Sequence, residues 1–143
     1  MGKIYEALMR AESGDEDKPQ DPERFPLAGN GSSPELMVIG RPGSAIAEQF
    51  RFLRSRLIKA QSEKQPRTIL VTSTLQGEGK TFVSSNLAAT MAQGLDEYVL
   101  LVDADMRNPR VHNVFGYDRT AQGLSSHLSN DVPLERVLRK TPI

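Results

Sequence analysis

Gly77-Glu78-Gly79-Lys80-Thr81 is the stretch of this chain best suited to hold a polyphosphate. Glycine has no Cβ, so Gly77 and Gly79 let the backbone curl and turn successive N–H groups toward an anion. Lys80 would bring an ammonium to the β- and γ-phosphates, and Thr81 a hydroxyl to Mg²⁺. The candidate nucleotide contacts are therefore Gln76, Gly77, Glu78, Gly79, Lys80, Thr81 and Phe82. The full phosphate-loop pattern begins with a glycine five residues before Gly79. Thr74 stands there instead, and Gly77 is expected to supply the flexibility. A carboxylate cannot face phosphates, so Glu78 is expected to point to solvent.

A second group of acids follows at Asp103-Ala104-Asp105. In an extended chain, residues i and i+2 point the same way. Two carboxylates beside a triphosphate make sense with Mg²⁺ between them, or as a base for the incoming nucleophile. Asp103 and Asp105 thus join Lys80 and Thr81 as candidate site residues, on Mg²⁺ or as a base. A calcium-loop reading fails, because its glycine position is Asn108. The structural alternative is a pair of carboxylates that cap the next turn.

These residues need elements to position them. Arg67 to Ser73 reads as a strand with a nearly continuous apolar centre, Ile69-Leu70-Val71, which suits a parallel sheet covered on both faces. The loop follows, and then a helix to about Gln93 carrying Phe82, Val83, Leu87 and Met91, closed by Gly94. Tyr98 to Val102 reads as a second buried strand. Strand, helix, strand at this length is a parallel βαβ unit, and ligands of such sheets bind at the carboxyl ends of the strands. The expected fold class is α/β, a parallel sheet of the P-loop type with flanking helices. Further on, Val111, Val114 and Phe115, then Leu124 with Leu128, then Leu134, Val137 and Leu138 suggest short helical pieces. His112 and His127 have no partners at ligand spacing and read as surface histidines.

Upstream, Ser44 is a plausible N-cap for a helix from Ala45 to about Ala60. Ile46, Phe50, Leu53 and Leu57 form one apolar stripe. The opposite face carries Glu48, Arg51, Phe52, Ser55 and Lys59. It reads either as a solvated face or as a subunit contact built from Phe52 and the charges of Glu48, Arg51 and Arg54. Leu36-Met37-Val38-Ile39 is the place where the chain is expected to meet the core first. Residues 1–34 divide into a short helix over Lys3 to Ala11 and a polar, proline-bearing linker that cannot bury enough surface to order itself. The domain reading is thus 1–34 helix and disordered linker, and 35–143 the N-terminal part of a P-loop domain.

Composition narrows the class. Lys and Arg number 18 and Asp and Glu number 18, which argues against a broad nucleic-acid surface. With no cysteine there is neither a disulfide framework nor a thiolate metal site. No apolar run approaches the roughly 18 residues of a membrane span, and no signal peptide is visible. The reading is a cytoplasmic protein.

Three motifs together resemble the bacterial tyrosine autokinases of exopolysaccharide and capsule assembly. Glu48-Gln49-Phe50-Arg51-Phe52-Leu53-Arg54 is similar to their Glu-x-x-Arg-x-x-Arg oligomerisation motif. Thr72 to Thr81 is similar to their Walker A, and Val99 to Pro109 to their Walker A′. Lys3-Ile4-Tyr5-Glu6-Ala7-Leu8 looks like the start of the exopolysaccharide-locus members. The resemblance implies ATP and Mg²⁺ as cofactors, with Lys80 and Thr81 on phosphate and metal. It implies Asp103 and Asp105 as metal ligand and catalytic base. It also implies a homo-oligomeric ring and a membrane-embedded chain-length regulator as activator, which would hold the cytoplasmic chain at the inner face of the membrane. Its substrate would be a tyrosine cluster of a neighbouring subunit.

Two parts of that pattern are not found in these residues. No apolar strand ending in Asp (a Walker B) follows Pro109, and Tyr5, Tyr98 and Tyr117 form no C-terminal cluster. The expectation is a kinase domain incomplete at its C-terminal side. Two other functions stay open: a non-catalytic ATP-binding interaction fragment of such a kinase, and a P-loop switch of the partitioning or cell-division type. The last carries a second lysine where Leu75 stands here.

Overall fold

The computed structural model describes residues 35–59, 68–94, 98–118, 122–141 and 143. The expected helix over Lys3 to Ala11 and the linker to residue 34 lie outside them, as do the connections at 61–66 and 95–97. The described residues fall into two compact units, one within Leu27–Val102 and one within Asp103–Pro142.

The first unit is three helices packed on one another. Leu36-Met37-Val38-Ile39 folds into a single turn, α1 (Met37–Gly40). Leu36 and Val38 are 1% and 3% exposed, so this apolar run does enter the core. Ser44 then starts α2 (Ala45–Lys59). Its Oγ accepts the Ala47 N–H at 3.2 Å, and its carbonyl takes the Glu48 N–H at 3.1 Å. Such a cap contributes about 1 kcal/mol.

α2 buries a narrower line than its apolar stripe suggests. Ala47 and Phe50 are buried, whereas Ile46 and Leu53 are exposed and Leu57 is only partly covered. The neighbours explain this. α1 and α3 (Lys80–Ala92) both pack on α2, and the flank with Ile46 and Leu53 opens on a groove that Val83 of α3 covers only in part. Small Ala47 allows the close approach, and the Phe50 ring meets Phe82 of α3 at 5.9 Å and 60°. A tilted aromatic pair adds about 0.5–1.5 kcal/mol beyond its area.

The buried face of α3 is also rotated from its apolar pattern. Ser85, Asn86, Leu87, Ala89 and Thr90 are buried, while Phe82, Val83 and Met91 are partly exposed. Asn86, fully buried, accounts for this. Its Oδ1 accepts the Val38 N–H at 3.1 Å, and its Nδ2 donates to the Glu35 carbonyl at 2.7 Å and the Phe82 carbonyl at 2.9 Å. One amide thereby satisfies the backbone where α1 begins and pins it to α3. Thr90 Oγ1 donates back to the Asn86 carbonyl at 2.7 Å, which lets a second polar group be buried on the same face. α3 ends one residue before the expected Gln93. Gly94 follows its C-cap but does not adopt the left-handed conformation; its N–H closes the last turn on Met91 O at 3.0 Å.

The expected strands, over 67–73 (described from 68) and 98–102, are not seen: no described residue lies in a β-strand. A strand needs a hydrogen-bonded neighbour, and two strands alone are marginal in water. Leu70 and Tyr98 are 82% and 91% exposed, and Ile69, Val99, Leu100 and Val102 are exposed too. These side chains have the composition of a sheet interior without the neighbours that would cover them. No helix among the described residues is long and apolar enough to cross a membrane.

The second unit holds α4 (Val111–Val114), α5 (Leu124–Asn130) and α6 (Leu134–Val137), with α5 packed on α6. Val114 is buried as its pattern suggests, but Leu128 is exposed and does not pair with Leu124. Asp131 ends α5 in the left-handed region (φ 52°), a conformation that short polar side chains tolerate. His127 is half-buried, with Nδ1 2.7 Å from the Val132 carbonyl, so it holds this turn rather than standing free in solvent. Tyr117 donates its hydroxyl to the Lys140 carbonyl at 2.8 Å. Burial pushes this phenol up, and the charge of Arg139 opposes that in part.

Asn86 gives the fold its sharpest test. Asn86→Ala strands the buried Val38 N–H and removes the part-buried bond to the Glu35 carbonyl, and an unmade buried bond costs about 1–3 kcal/mol. The expected loss is about 2–4 kcal/mol in urea unfolding. Asn86→Asp should be at least as damaging, since an oxygen would then face two carbonyls. An Asp variant as stable as the parent would remove the amide from its place in this account.

Candidate phosphate-binding site

The loop from Ser73 to Lys80 belongs to the first unit. Gly77 and Gly79 both adopt positive φ, 85° and 91°, and a Cβ at either would meet nothing within 4 Å. The glycines are thus required by the backbone turn and not by crowding, and the space above them is open. Gly79 is the N-cap of α3, and its carbonyl accepts the Val83 N–H at 2.9 Å. The amides of Lys80, Thr81 and Phe82 precede that first bond, as at any helix start, and carry the partial positive charge of the helix end. This is the donor set that an anion takes at a helix N-terminus.

The side chains fold inward on the loop. Lys80 Nζ donates to Ser73 Oγ at 2.9 Å and to the Leu75 carbonyl at 3.3 Å. Ser73 Oγ donates to the same carbonyl at 2.9 Å. Glu78 is exposed, as expected, but its carboxylate does not simply face solvent. Its Oε2 accepts the Leu75 N–H at 3.0 Å. That bond is the main cause holding the Glu78 carboxyl below the usual carboxylate range. Ser73 and the Leu75 peptide were not visible as site residues in the sequence, because their part depends on how the loop curls back and not on residue type.

Asp103 and Asp105 lie in the second unit. Asp103 Oδ1 accepts the Asp105 N–H at 3.1 Å, and its Oδ2 accepts the N–H groups of Arg110 and Val111 at 2.9 and 3.0 Å. Asp105 Oδ1 accepts from Arg107 and Asn108 at 3.2 and 3.0 Å. The two carboxylates therefore organise the turn that leads into α4, the structural alternative raised by the sequence. They differ in one respect. Asp103 uses both oxygens, whereas Asp105 Oδ2 makes no hydrogen bond among the described residues. No group of three or more His, Cys, Asp or Glu there gathers at metal-binding distance.

On α2, Glu48 pairs with Arg51, and Arg51 Nη2 also donates to the Pro42 carbonyl at 2.6 Å. Phe52 is 56% exposed, and the Arg56 guanidinium sits 4.7 Å over its ring. Arg54 is half-buried. Ile46, Gln49, Phe50, Phe52, Leu53 and Arg56, with Val83 of α3, line an open groove of about 450 Å³. Phe52 is thus part of an apolar groove and not a stray ring among charges.

Gly77 and Gly79 at positive φ lead directly into a helix that starts at Lys80-Thr81, the local order that a phosphate-binding loop requires. The relatives of this chain narrow the class. Over 104 residues it is 35% identical to tyrosine-protein kinase YwqD of Bacillus subtilis, a match covering 73% of this chain and 43% of YwqD. Over 108 residues it is 32% identical to the putative tyrosine-protein kinase CapB of Staphylococcus aureus, covering 76% and 46%. It is 33% identical over 103 residues to a putative tyrosine-protein kinase in the cps region of Klebsiella pneumoniae, covering 72% and 14%. No family model matches the chain. No solved structure matches it either. This chain is homologous to bacterial tyrosine-protein kinases. It spans less than half the length of the relatives it matches.

Lys80→Ala tests the site directly. It removes the ammonium and leaves the loop backbone, so Mg-ATP affinity should fall about tenfold or more, the value of a charge-assisted bond. Calorimetric titration of variant against parent gives the answer, and equal affinities would sink the phosphate-loop assignment.

Proposed function

We propose that this chain is the ATP-binding part of a protein-tyrosine autokinase that regulates the synthesis and export of an exopolysaccharide or capsular polysaccharide. One observation carries the reading: Gly77 and Gly79 at positive φ deliver the backbone into α3 with Lys80 and Thr81 at its first turn. Homology to tyrosine-protein kinases supplies the reaction class. Bound ATP with Mg²⁺ supplies the γ-phosphoryl group for a tyrosine hydroxyl. In this reading the amides from Gln76 to Phe82 and the Lys80 ammonium orient the phosphates, and the Thr81 hydroxyl faces the metal. Lys80 must leave Ser73 and the Leu75 carbonyl to do so.

The two aspartates divide their roles. Asp103 is committed to three backbone N–H groups and fixes the turn. Asp105 Oδ2 has no hydrogen bond among the described residues, which leaves it able to accept a proton or a cation. Transfer also needs firmly held Mg²⁺ and a water-poor site. These 143 residues supply no Walker B carboxylate, and the apolar residues around 69–70 and 98–102 remain exposed. For these 143 residues by themselves that exposure leaves a water-poor site unformed, and the expectation for the chain is nucleotide binding without turnover. Its partners are other copies, met through Glu48, Arg51, Phe52 and Arg54 of α2, and a membrane-embedded chain-length regulator that keeps it at the cytoplasmic face. Nucleic acid is not among them.

Two measurements test this. After incubation with Mg-ATP, the intact mass of the 143-residue chain should show no phosphate adduct. An adduct that disappears in Asp105→Asn would show that the chain alone is a competent kinase. Separately, Arg51→Glu with Arg54→Glu should reduce self-association in sedimentation velocity with the helical circular dichroism retained. Unchanged sedimentation would leave this face of α2 as solvated surface.

A further inference from the structure

Beside the candidate phosphate amides, the loop binds a carboxylate of its own. Glu78 Oε2 takes the Leu75 N–H at 3.0 Å, and the carbonyl of the same residue is held by Lys80 Nζ and Ser73 Oγ at 3.3 and 2.9 Å. The Leu75 residue is thus gripped on its donor side by an anion and on its acceptor side by the cation meant for the ligand. Glu78 and Lys80 flank Gly79, whose left-handed turn sends both side chains back over the loop. The open space at Gly77 and Gly79 means that no side chain has to be pushed aside for a phosphate to approach. What opposes entry is the set of polar contacts that the loop makes with itself.

We propose that Glu78 is a built-in competitor of the nucleotide: its carboxylate latches the loop on the Leu75 N–H, and a polyphosphate binds only as that latch opens. The inference rests on the nucleotide-site reading above and adds a determinant of affinity to it. The contact itself matters, apart from the charge. An anion tied to the loop fixes Leu75 and keeps its carbonyl facing Lys80, so opening the latch also releases the ammonium from that carbonyl and leaves Ser73 Oγ, at 2.9 Å, as its remaining partner. A carboxylate that merely stood nearby would repel phosphate without holding Lys80 back.

Substitutions separate these cases. Glu78→Ala removes charge and contact. Glu78→Asp keeps the charge, but is one methylene too short to hold the Leu75 N–H. Glu78 is an exposed loop residue, so neither change strains the core. Titrated calorimetrically with Mg-ATP, both variants should bind about threefold to tenfold tighter than the parent, the scale of one exposed charge-assisted bond. Amide exchange at Leu75 should also be faster in both when no nucleotide is present. Glu78→Asp binding like the parent while Glu78→Ala binds tighter would reduce the effect to through-space charge and overturn the latch. Both variants binding like the parent would overturn it as well. Lys80→Ala run alongside distinguishes the two levels. If it weakens binding while the Glu78 variants change nothing, only the latch is wrong. If it too binds like the parent, the nucleotide-site reading fails and the latch with it.

Discussion

A single buried amide organises the first unit. A helix of four residues, α1, cannot stand alone, because its nucleation cost exceeds what one turn returns. The Asn86 side chain resolves this by presenting an acceptor to Val38 and donors to the carbonyls of Glu35 and Phe82. A hydrophobic residue of the same size would fill the space but leave the backbone of α1 unsatisfied. The polar face of α3 follows from that constraint. Once Asn86 is inside, α3 must present its small and polar side, with Ser85, Ala89 and Thr90, to α1 and α2. Phe82 and Val83 are left at the margin, where Phe82 meets Phe50 and Val83 floors the groove beside Phe52.

The same economy runs through the loop and the acidic turn. Each ionised group considered for chemistry is already hydrogen-bonded to its own segment: Lys80 to Ser73 and Leu75, Glu78 to Leu75, Asp103 and Asp105 to the turn that follows them. Local bonds of this kind exchange protein partners for water at little net gain. They nevertheless fix where each charge sits, so a ligand meets a shaped site and not a set of loose side chains. Binding then becomes an exchange of partners, in which the nucleotide must offer more than the loop's own contacts do.

The parts legible in the sequence were those set by short-range rules. Ser44 before an amphipathic run gave the start of α2, and Gly-x-Gly-Lys-Thr gave the turn and the first residues of α3. The apolar run at 36–39 announced its own burial. Long-range rules hid the rest. Ile69-Leu70-Val71 and Tyr98 to Val102 have the composition of buried strands, but a strand exists only with its neighbours, and composition carries no record of whether they are there. The buried face of α3 was misjudged because hydropathy treats asparagine as a surface residue, and only its three partners make it a core one. Glu78 was expected to avoid phosphate, which is sound electrostatics. Its attachment to Leu75 depends on the curl of the backbone, which no residue type encodes.

The bonds between α1 and α3 join positions far apart in the chain: Val38 and Asn86 are separated by 48 residues. Within α2 and α3, by contrast, every helical bond spans one turn. Closing so large a loop carries an entropy cost that rises only with the logarithm of its length, but it must be met before the Asn86 bonds form. Bonds within α2 and α3 do not depend on that closure, whereas the bonds of Asn86 to α1 do. Releasing α1 from Asn86 breaks no backbone bond within α2 or α3. Hydrogen exchange at the Val38 amide reads this release, and its protection relative to amides in the middle of α3 measures how much of the unit's cooperativity passes through one asparagine.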